Sequence, residues 1–134
     1  MGRLEDLVYR EGRGNAAHQY RRKVCPVLGA VAAKIVAEMN GQEAKLVKVQ
    51  GIFPWHRHDE VEEMFLVCRG RFRVEFRDRI VGLRPGEFVV VPRGVEHRTA
   101  ADEDAEVILW EPAGVLNTGN VIDRKFTAPM GARI

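Results

Sequence analysis

The chain has 134 residues, of which 46% are hydrophobic and 30% are charged. This length suits one domain and is too short for two full ones, and the composition is that of a soluble globular protein. With 21 basic and 19 acidic residues the formal net charge is only +2, so the charge gives no reason to expect nucleic acid or an acidic membrane as a partner.

The N-terminal arm, residues 1–33, carries the weakest pattern of the chain. Leu4, Leu7 and Val8 have helical spacing and the Gly-containing stretch 11–15 then breaks it, which predicts a short helix within a mobile arm. The first residues include acidic side chains and lack the apolar centre of a signal peptide. No segment of the chain reaches the ~18 uninterrupted apolar residues of a membrane span. We therefore expect a cytoplasmic protein without membrane contacts.

From residue 34 onward the hydrophobic period changes to two, which is the period of a β-strand. Asn40-Gly41 lies between the runs Lys34–Met39 and Lys45–Gln50, and Asn-Gly in this position is a strong hairpin signal. Further short runs follow, each bounded by turn residues: Met64–Cys68, Phe72–Phe76, Phe88–Pro92, Glu96–Thr99 and Glu106–Trp110. Many short strands with even turn spacing and no helix between them predict an all-β sandwich or barrel.

Three of the four histidines fall in two short segments of this β region. Residues two apart in a strand point to the same face, so His56 and His58 can direct both imidazoles to one point. Glu63 begins the next predicted strand and can direct its carboxylate to the point where the two imidazoles meet. If the strand that begins near His97 runs beside the His56 segment, three imidazoles and one carboxylate converge. This ligand set suits a divalent first-row transition metal.

The two segments resemble the two sequence motifs of the cupin superfamily. The first motif, Gly followed by His-x-His, Glu and a second Gly, is matched by Gly51, His56, His58, Glu63 and Gly70. The second motif, Gly followed by Pro-x-Gly and His, is matched by Gly86, Pro92, Gly94 and His97. The first gap has four residues where five is common, and Ala101 stands where the family often has an Asn that is not a metal ligand.

The resemblance implies a single double-stranded β-helix, or jelly-roll barrel, over residues 34–116. It leaves residues 1–33 as the N-terminal arm and residues 117–134 as a C-terminal extension that we expect to pack on the barrel or on a partner subunit. Residues 53–65 and 92–120 are also similar to small single-domain bacterial cupins often labelled as relatives of mannose-6-phosphate isomerase. That label rests on a shared fold, and a fold alone does not fix the chemistry.

The resemblance also implies one bound divalent transition metal ion, which could be Fe, Mn, Ni, Zn, Cu or Co. The predicted ligands are His56, His58, Glu63 and His97. Glu60 and Glu62 are neighbouring alternatives to Glu63, but the six-residue gap to Gly70 in the motif selects Glu63. The alternative is a degenerate cupin that keeps the ligand residues but binds no metal.

The residues that would shape a ligand cavity are less well defined by the sequence. Phe53, Trp55, Phe65 and Phe72 either line a cavity or fill the barrel, and core packing is the preferred interpretation. A sugar-phosphate substrate would also need a phosphate site. The candidates by charge are Arg57, Arg69, Arg73, Arg93 and Arg98, and strand alternation does not show which of them face the cavity.

The predicted site is compatible with three functions. The first is a metal-dependent enzyme, of the dioxygenase or isomerase/lyase type known among cupins, acting on a small molecule inside the barrel. In that case Glu63 could loosen from the metal to accept a proton, and no other catalytic residue is assigned. The second is a non-catalytic module that binds a small molecule. The third is a barrel that mainly builds an oligomer, and exposed edge strands favour a homodimer under all three hypotheses.

Overall fold

The structure is a computed structural model that describes residues 33–124 and the backbone of residues 132–133. The helix predicted in the N-terminal arm lies outside these residues. All regular elements in the described part are strands: β1 (Lys34–Met39), β2 (Gln42–Ile52), β3 (Glu63–Arg69), β4 (Phe72–Phe76), β5 (Ile80–Leu83), β6 (Phe88–Val91), β7 (His97–Pro112) and β8 (Ala132–Arg133). The predicted all-β class is confirmed. The described residues contain no helix long and apolar enough to cross a membrane.

The predicted hairpin forms between β1 and β2, where Met39 pairs with Gln42 across the two-residue turn Asn40-Gly41. Both turn residues have positive φ, 53° at Asn40 and 74° at Gly41. This backbone matches the right-handed twist of the flanking strands, and Asn and Gly are the residues that adopt it most easily.

Strand β7 is the centre of the barrel because it pairs with three other strands. It runs antiparallel to β2 along most of its length, to β3 at residues 106–110 and to β4 at residues 97–100. The strand order is β5-β4-β7-β2-β1-β8, and β6 adds to the free side of β3. The sequence predicted two separate strands here; the structure shows one, in which residues 102–104 bulge opposite Gln50 while the pairing continues on both sides.

The core lies inside the barrel and consists of alternate residues from the facing strands. Its buried apolar members are Phe65, Val67, Phe72, Val74, Phe76, Leu83, Val91, Ala101, Ala105, Val107 and Leu109. The period-two pattern follows from the strand pleat, which sends every second side chain inward. The same inward-facing register carries Glu63 and His97 into the interior, next to this apolar cluster.

Candidate metal centre

Backbone pairing brings His56 and His97 together. His56 lies between β2 and β3 and forms an isolated antiparallel bridge with His97, the first residue of β7. Each of the two residues donates its N–H to the carbonyl of the other, at 2.9 Å. The sequence predicted a regular strand for His56 and His58, whereas the structure shows an extended segment with this single bridge. Pro54, which lacks an N–H donor, precedes it.

His58 is held in place from two sides by backbone contacts. Its carbonyl accepts a hydrogen bond from the Gly94 N–H at 2.7 Å. On the other side, the Arg57 N–H donates to Asn120 Oδ1 at 2.8 Å, and the Arg57 carbonyl accepts from the Asn120 N–H at 3.1 Å. Gly119 packs directly against this segment with a positive φ of 54°, and a Cβ at that position would overlap the Arg57 carbonyl oxygen.

The four predicted ligands converge in the barrel interior. One potential ligand atom from each of His56, His58, Glu63 and His97 lies within 4.8 Å of the other three. All four side chains are buried, with at most 7% of their surface exposed. Glu63 lies between two imidazoles, with Oε1 at 3.0 Å from His58 Nε2 and Oε2 at 3.2 Å from His97 Nε2.

Backbone carbonyls fix the tautomer of two of the rings. His56 Nδ1 donates to the Pro54 carbonyl and His97 Nδ1 donates to the Val95 carbonyl, both at 2.9 Å. A carbonyl oxygen only accepts hydrogen bonds, so Nδ1 carries the proton and the neutral ring presents a lone pair at Nε2. Proteins usually orient a metal-binding histidine in this way, by a hydrogen bond from the ring nitrogen that does not bind the metal.

The converging atoms also fit a metal because several of them have no hydrogen-bond partner. His58 Nε2, Glu63 Oε2 and His97 Nε2 are buried and unpaired. Each unsatisfied buried polar atom costs about 1–3 kcal/mol. A divalent cation among these atoms would satisfy them together, and imidazole with carboxylate is a donor set that transition metals prefer.

The surroundings favour the protonation states that metal binding requires. Burial lowers the pKa of His56 to about 4, so this ring is neutral near neutral pH. Burial raises the pKa of the Glu63 carboxyl, but its contacts with His58 and His97 outweigh burial and bring the pKa well below its usual range. The cluster therefore presents a neutral imidazole and an ionised carboxylate, the forms that bind metals.

Comparison with known families agrees with the motif resemblance. The family described as the cupin domain matches residues 45–111, which is half of the chain. The chain belongs to the cupin family. The matched region includes all four converging residues, since His56 and His97 both lie within it.

Two solved structures are similar in fold to this chain. A cupin-2 domain containing protein from Shewanella frigidimarina is 38% identical, with a TM-score of 0.68 over 69% of this chain and 91% of that one. Protein NMB1881 from Neisseria meningitidis is 26% identical, with a TM-score of 0.64 over 69% and 95% of the two chains. The Bacillus subtilis protein YdbB is 29% identical over 65 residues, which are 48% of this chain and 58% of that relative's length.

A buried charge cluster next to the candidate metal centre of this cupin was not found from the sequence. Glu43, Lys45 and Glu111 are all buried. Lys45 Nζ lies 2.7 Å from Glu111 Oε1 and 3.3 Å from Glu43 Oε2. Burial and the neighbouring Glu63 raise the pKa of Glu111 to about 9, despite the nearby ammonium. Glu and Lys two apart in a strand are typical of a solvent-facing side, so no local signal marks them as buried.

A small apolar cavity of about 70 Å³ lies beside His56 in the barrel of this cupin. Of the aromatic residues considered above, Phe53, Phe65 and Phe72 line it. Trp55 instead packs against Arg77 and Arg98, whose guanidinium carbons lie 3.8 Å and 4.8 Å from its ring centroid. The other lining side chains include Val47, Val49, Thr99, Val107, Leu109 and Asn117.

The predicted phosphate-binding arginines do not reach this cavity. None of the five is among the residues that line it in the described part of the cupin. Arg73 and Arg98 both bind the Glu75 carboxylate, at 2.8 Å and 2.6 Å, and Arg57 binds Asp59 at 2.6 Å. A larger groove of about 610 Å³ lies near Arg73, at the end of β4 away from His97, and contains none of the converging ligands.

Proposed function

We propose that this cupin binds one divalent first-row transition metal ion and uses it to bind and transform a small molecule inside the barrel. The proposed ligands are His56, His58, Glu63 and His97. The observation that supports this most directly is the convergence of four buried ligand atoms, of which three lack any hydrogen-bond partner. Buried polar atoms are normally paired, so this arrangement calls for a cation.

A bound metal would act as a Lewis acid or hold a reactant at a position that the protein leaves open. Three imidazoles and one carboxylate leave up to two positions on a six-coordinate ion. The cavity beside His56 would receive an apolar part of the ligand against the side chains of Phe65 and Leu109. Glu63 is the group in this arrangement that could hold a proton taken from the substrate.

The reaction class remains part of the proposal, with an oxygenase or an isomerase/lyase as the two candidates. We do not extend it to sugar phosphates, because Arg57, Arg73 and Arg98 pair with carboxylates and none of the five candidate arginines lines the cavity. The alternative is a non-catalytic cupin that binds a small molecule through the same centre. A cytoplasmic location and a homodimer belong to the same proposal.

The first experiment is the metal content of untagged protein purified without chelator, measured by mass spectrometry. We expect close to one equivalent in the wild type and a loss in His58→Ala. Glu62→Ala is the matched control, because Glu62 is an exposed acidic neighbour of Glu63 and its loss should leave the metal content unchanged. Wild-type protein that stays empty after soaking with Fe, Mn, Co, Ni, Cu and Zn would contradict the proposal.

The identity of the metal then separates the two reaction classes, and a test for turnover separates both from the binding alternative. Fe or Mn would direct the substrate search towards oxygen chemistry, and Zn towards Lewis-acid chemistry. A loaded protein that binds a small molecule tightly and returns it unchanged, under both aerobic and anaerobic conditions, would favour the binding module.

A further inference from the structure

Three glutamates lie in one row across three adjacent strands of the barrel. Glu43 on β2 pairs directly with Glu111 on β7. On the other side of β7, Met64 pairs with Trp110, which places Glu63 beside Glu111. All three carboxyl groups are buried and face the interior. Carboxylates directly opposite one another repel, so the row requires a compensating cation or a shared proton.

A single buried ammonium lies against two members of the row. Lys45 Nζ is 2.7 Å from Glu111 Oε1 and 3.3 Å from Glu43 Oε2. It therefore holds one oxygen of Glu111 by a buried, charge-assisted hydrogen bond. The other oxygen, Oε2, is buried and makes no hydrogen bond. The strand register places the Glu63 carboxyl beside it, and burial together with this neighbour raises the pKa of Glu111.

The metal-binding residues contact Glu63 through its two carboxylate oxygens. His58 and His97 would themselves turn towards a bound metal as ligands, so the orientation of Glu63 also depends on the residues around it. The Glu111 carboxyl is its neighbour on the adjacent strand and is held by Lys45. An ionised side chain buried this deeply needs such partners to keep one orientation.

We propose that Lys45 and Glu111 form a positioning pair that holds the Glu63 carboxylate in its metal-binding orientation. The pair acts through Glu63 and does not touch the metal itself. This inference rests on the proposed metal site, since positioning matters only if Glu63 is a ligand. Outer contacts of this kind typically change metal affinity by about 10–100-fold.

The test is a calorimetric titration of metal-free protein with Co²⁺, comparing substitutions at position 111. Glu111→Leu removes both polar contacts and should weaken Co²⁺ binding by about 10–100-fold. Glu111→Gln can still accept from Lys45 and donate to Glu63, so it should restore affinity to within about threefold of the wild type. Glu43→Gln is the matched control, because Glu43 shares Lys45 but lies beyond Glu111 from the metal centre, and it should bind Co²⁺ normally.

Glu111→Leu leaves Lys45 with less compensation and could fail to fold, since breaking one partner of a buried ion pair is strongly destabilising. The double variant Lys45→Met/Glu111→Leu removes the pair together, and such replacements are often tolerated. A folded double variant that binds Co²⁺ as tightly as the wild type would overturn the positioning role. The positioning role is supported if the double variant binds Co²⁺ more weakly than the wild type while Glu111→Gln binds it nearly as tightly.

Crystal structures of the metal-free wild type and double variant give a second readout that does not depend on metal binding. We expect the Glu63 carboxylate to leave its place between His58 and His97 in the variant by more than the ~0.5 Å that a binding site tolerates. An unmoved carboxylate would overturn the positioning pair even if the wild type binds metal. A wild type that binds no Co²⁺ but whose Glu63 moves in the variant would instead refute the proposed function and leave the positioning contact established.

Discussion

Gly119→Ala should weaken metal binding although residue 119 supplies no ligand. Gly119 has φ of 54°, where a residue with a Cβ costs roughly 1–2 kcal/mol. The new Cβ would also overlap the Arg57 carbonyl oxygen and lie 3.2 Å from His58 Cε1. The overlap involves backbone on both sides, so the Arg57-His58 segment must shift away from the Gly119 turn.

A glycine with the same strain and no overlap is the control for this prediction. Gly41 has φ of 74°, and a Cβ there would meet nothing within 4 Å. Gly41→Ala and Gly119→Ala should therefore share a loss of about 1–2 kcal/mol in the free energy of unfolding. Only Gly119→Ala should also displace His58 and so weaken metal binding. A tenfold loss of metal affinity corresponds to about 1.4 kcal/mol of binding free energy.

The assay combines urea unfolding of the metal-free proteins with calorimetric Co²⁺ titration. We expect Gly119→Ala to bind Co²⁺ at least tenfold more weakly than Gly41→Ala, and Gly41→Ala to match the wild type. If both variants bind Co²⁺ like the wild type while both remain folded, the contact between the Gly119 turn and Arg57 does not fix the position of His58. The reasoning would then be refuted.

Three further predictions concern pH, metal and assembly. The pKa of His56 falls from 6.5 to about 4 on folding, so the unfolded state binds more protons in this range and stability is lost as the pH drops from about 6.5 to about 4. The loss is about 3 kcal/mol at 1.36 kcal/mol per pKa unit, and urea unfolding of metal-free protein should show it in the wild type but not in His56→Gln. Added metal should raise the unfolding temperature of the wild type and leave His58→Ala unchanged, and equal shifts in both would contradict the assigned ligands. The apolar side chains Phe88 and Val90 are 63% and 45% exposed on the edge strand β6, so Phe88→Arg should shift a sedimenting homodimer to monomer; a wild type that is already monomeric at micromolar concentration would contradict the predicted dimer.

The features that the sequence predicts well are those determined by neighbours in the chain. The turn at Asn40-Gly41 needs only two residues that accept positive φ, and it lies where expected. The pair His56-x-His58 likewise depends on local geometry. For Glu63 the local pattern was insufficient, and the spacing to Gly70 in the motif was needed to prefer it over its acidic neighbours.

The features that could not be predicted depend on residues far apart in the chain. The continuity of β7 through the acidic residues 102–104 is set by its pairing with β2, whereas an isolated acidic stretch looks like a turn. Lys45 and Glu111 are 66 residues apart, and each alone looks like a surface charge. Only the register between β2 and β7 brings them together in the interior, which is why charged residues in this barrel had no predictive signal for burial.

The four proposed ligands are unevenly distributed along the chain, and this affects the denatured protein. His56, His58 and Glu63 fall within one short stretch, while His97 arrives from the start of β7. An unfolded chain therefore retains three donors close together and can chelate a transition metal before any sheet exists. Binding to the unfolded state subtracts from the stabilisation that a metal gives to the native state. The rise in unfolding temperature with added metal therefore reports only the part of the metal-binding free energy that His97 and the folded geometry add. Metal binding to a peptide spanning residues 51–70 should measure the part that the unfolded chain already has.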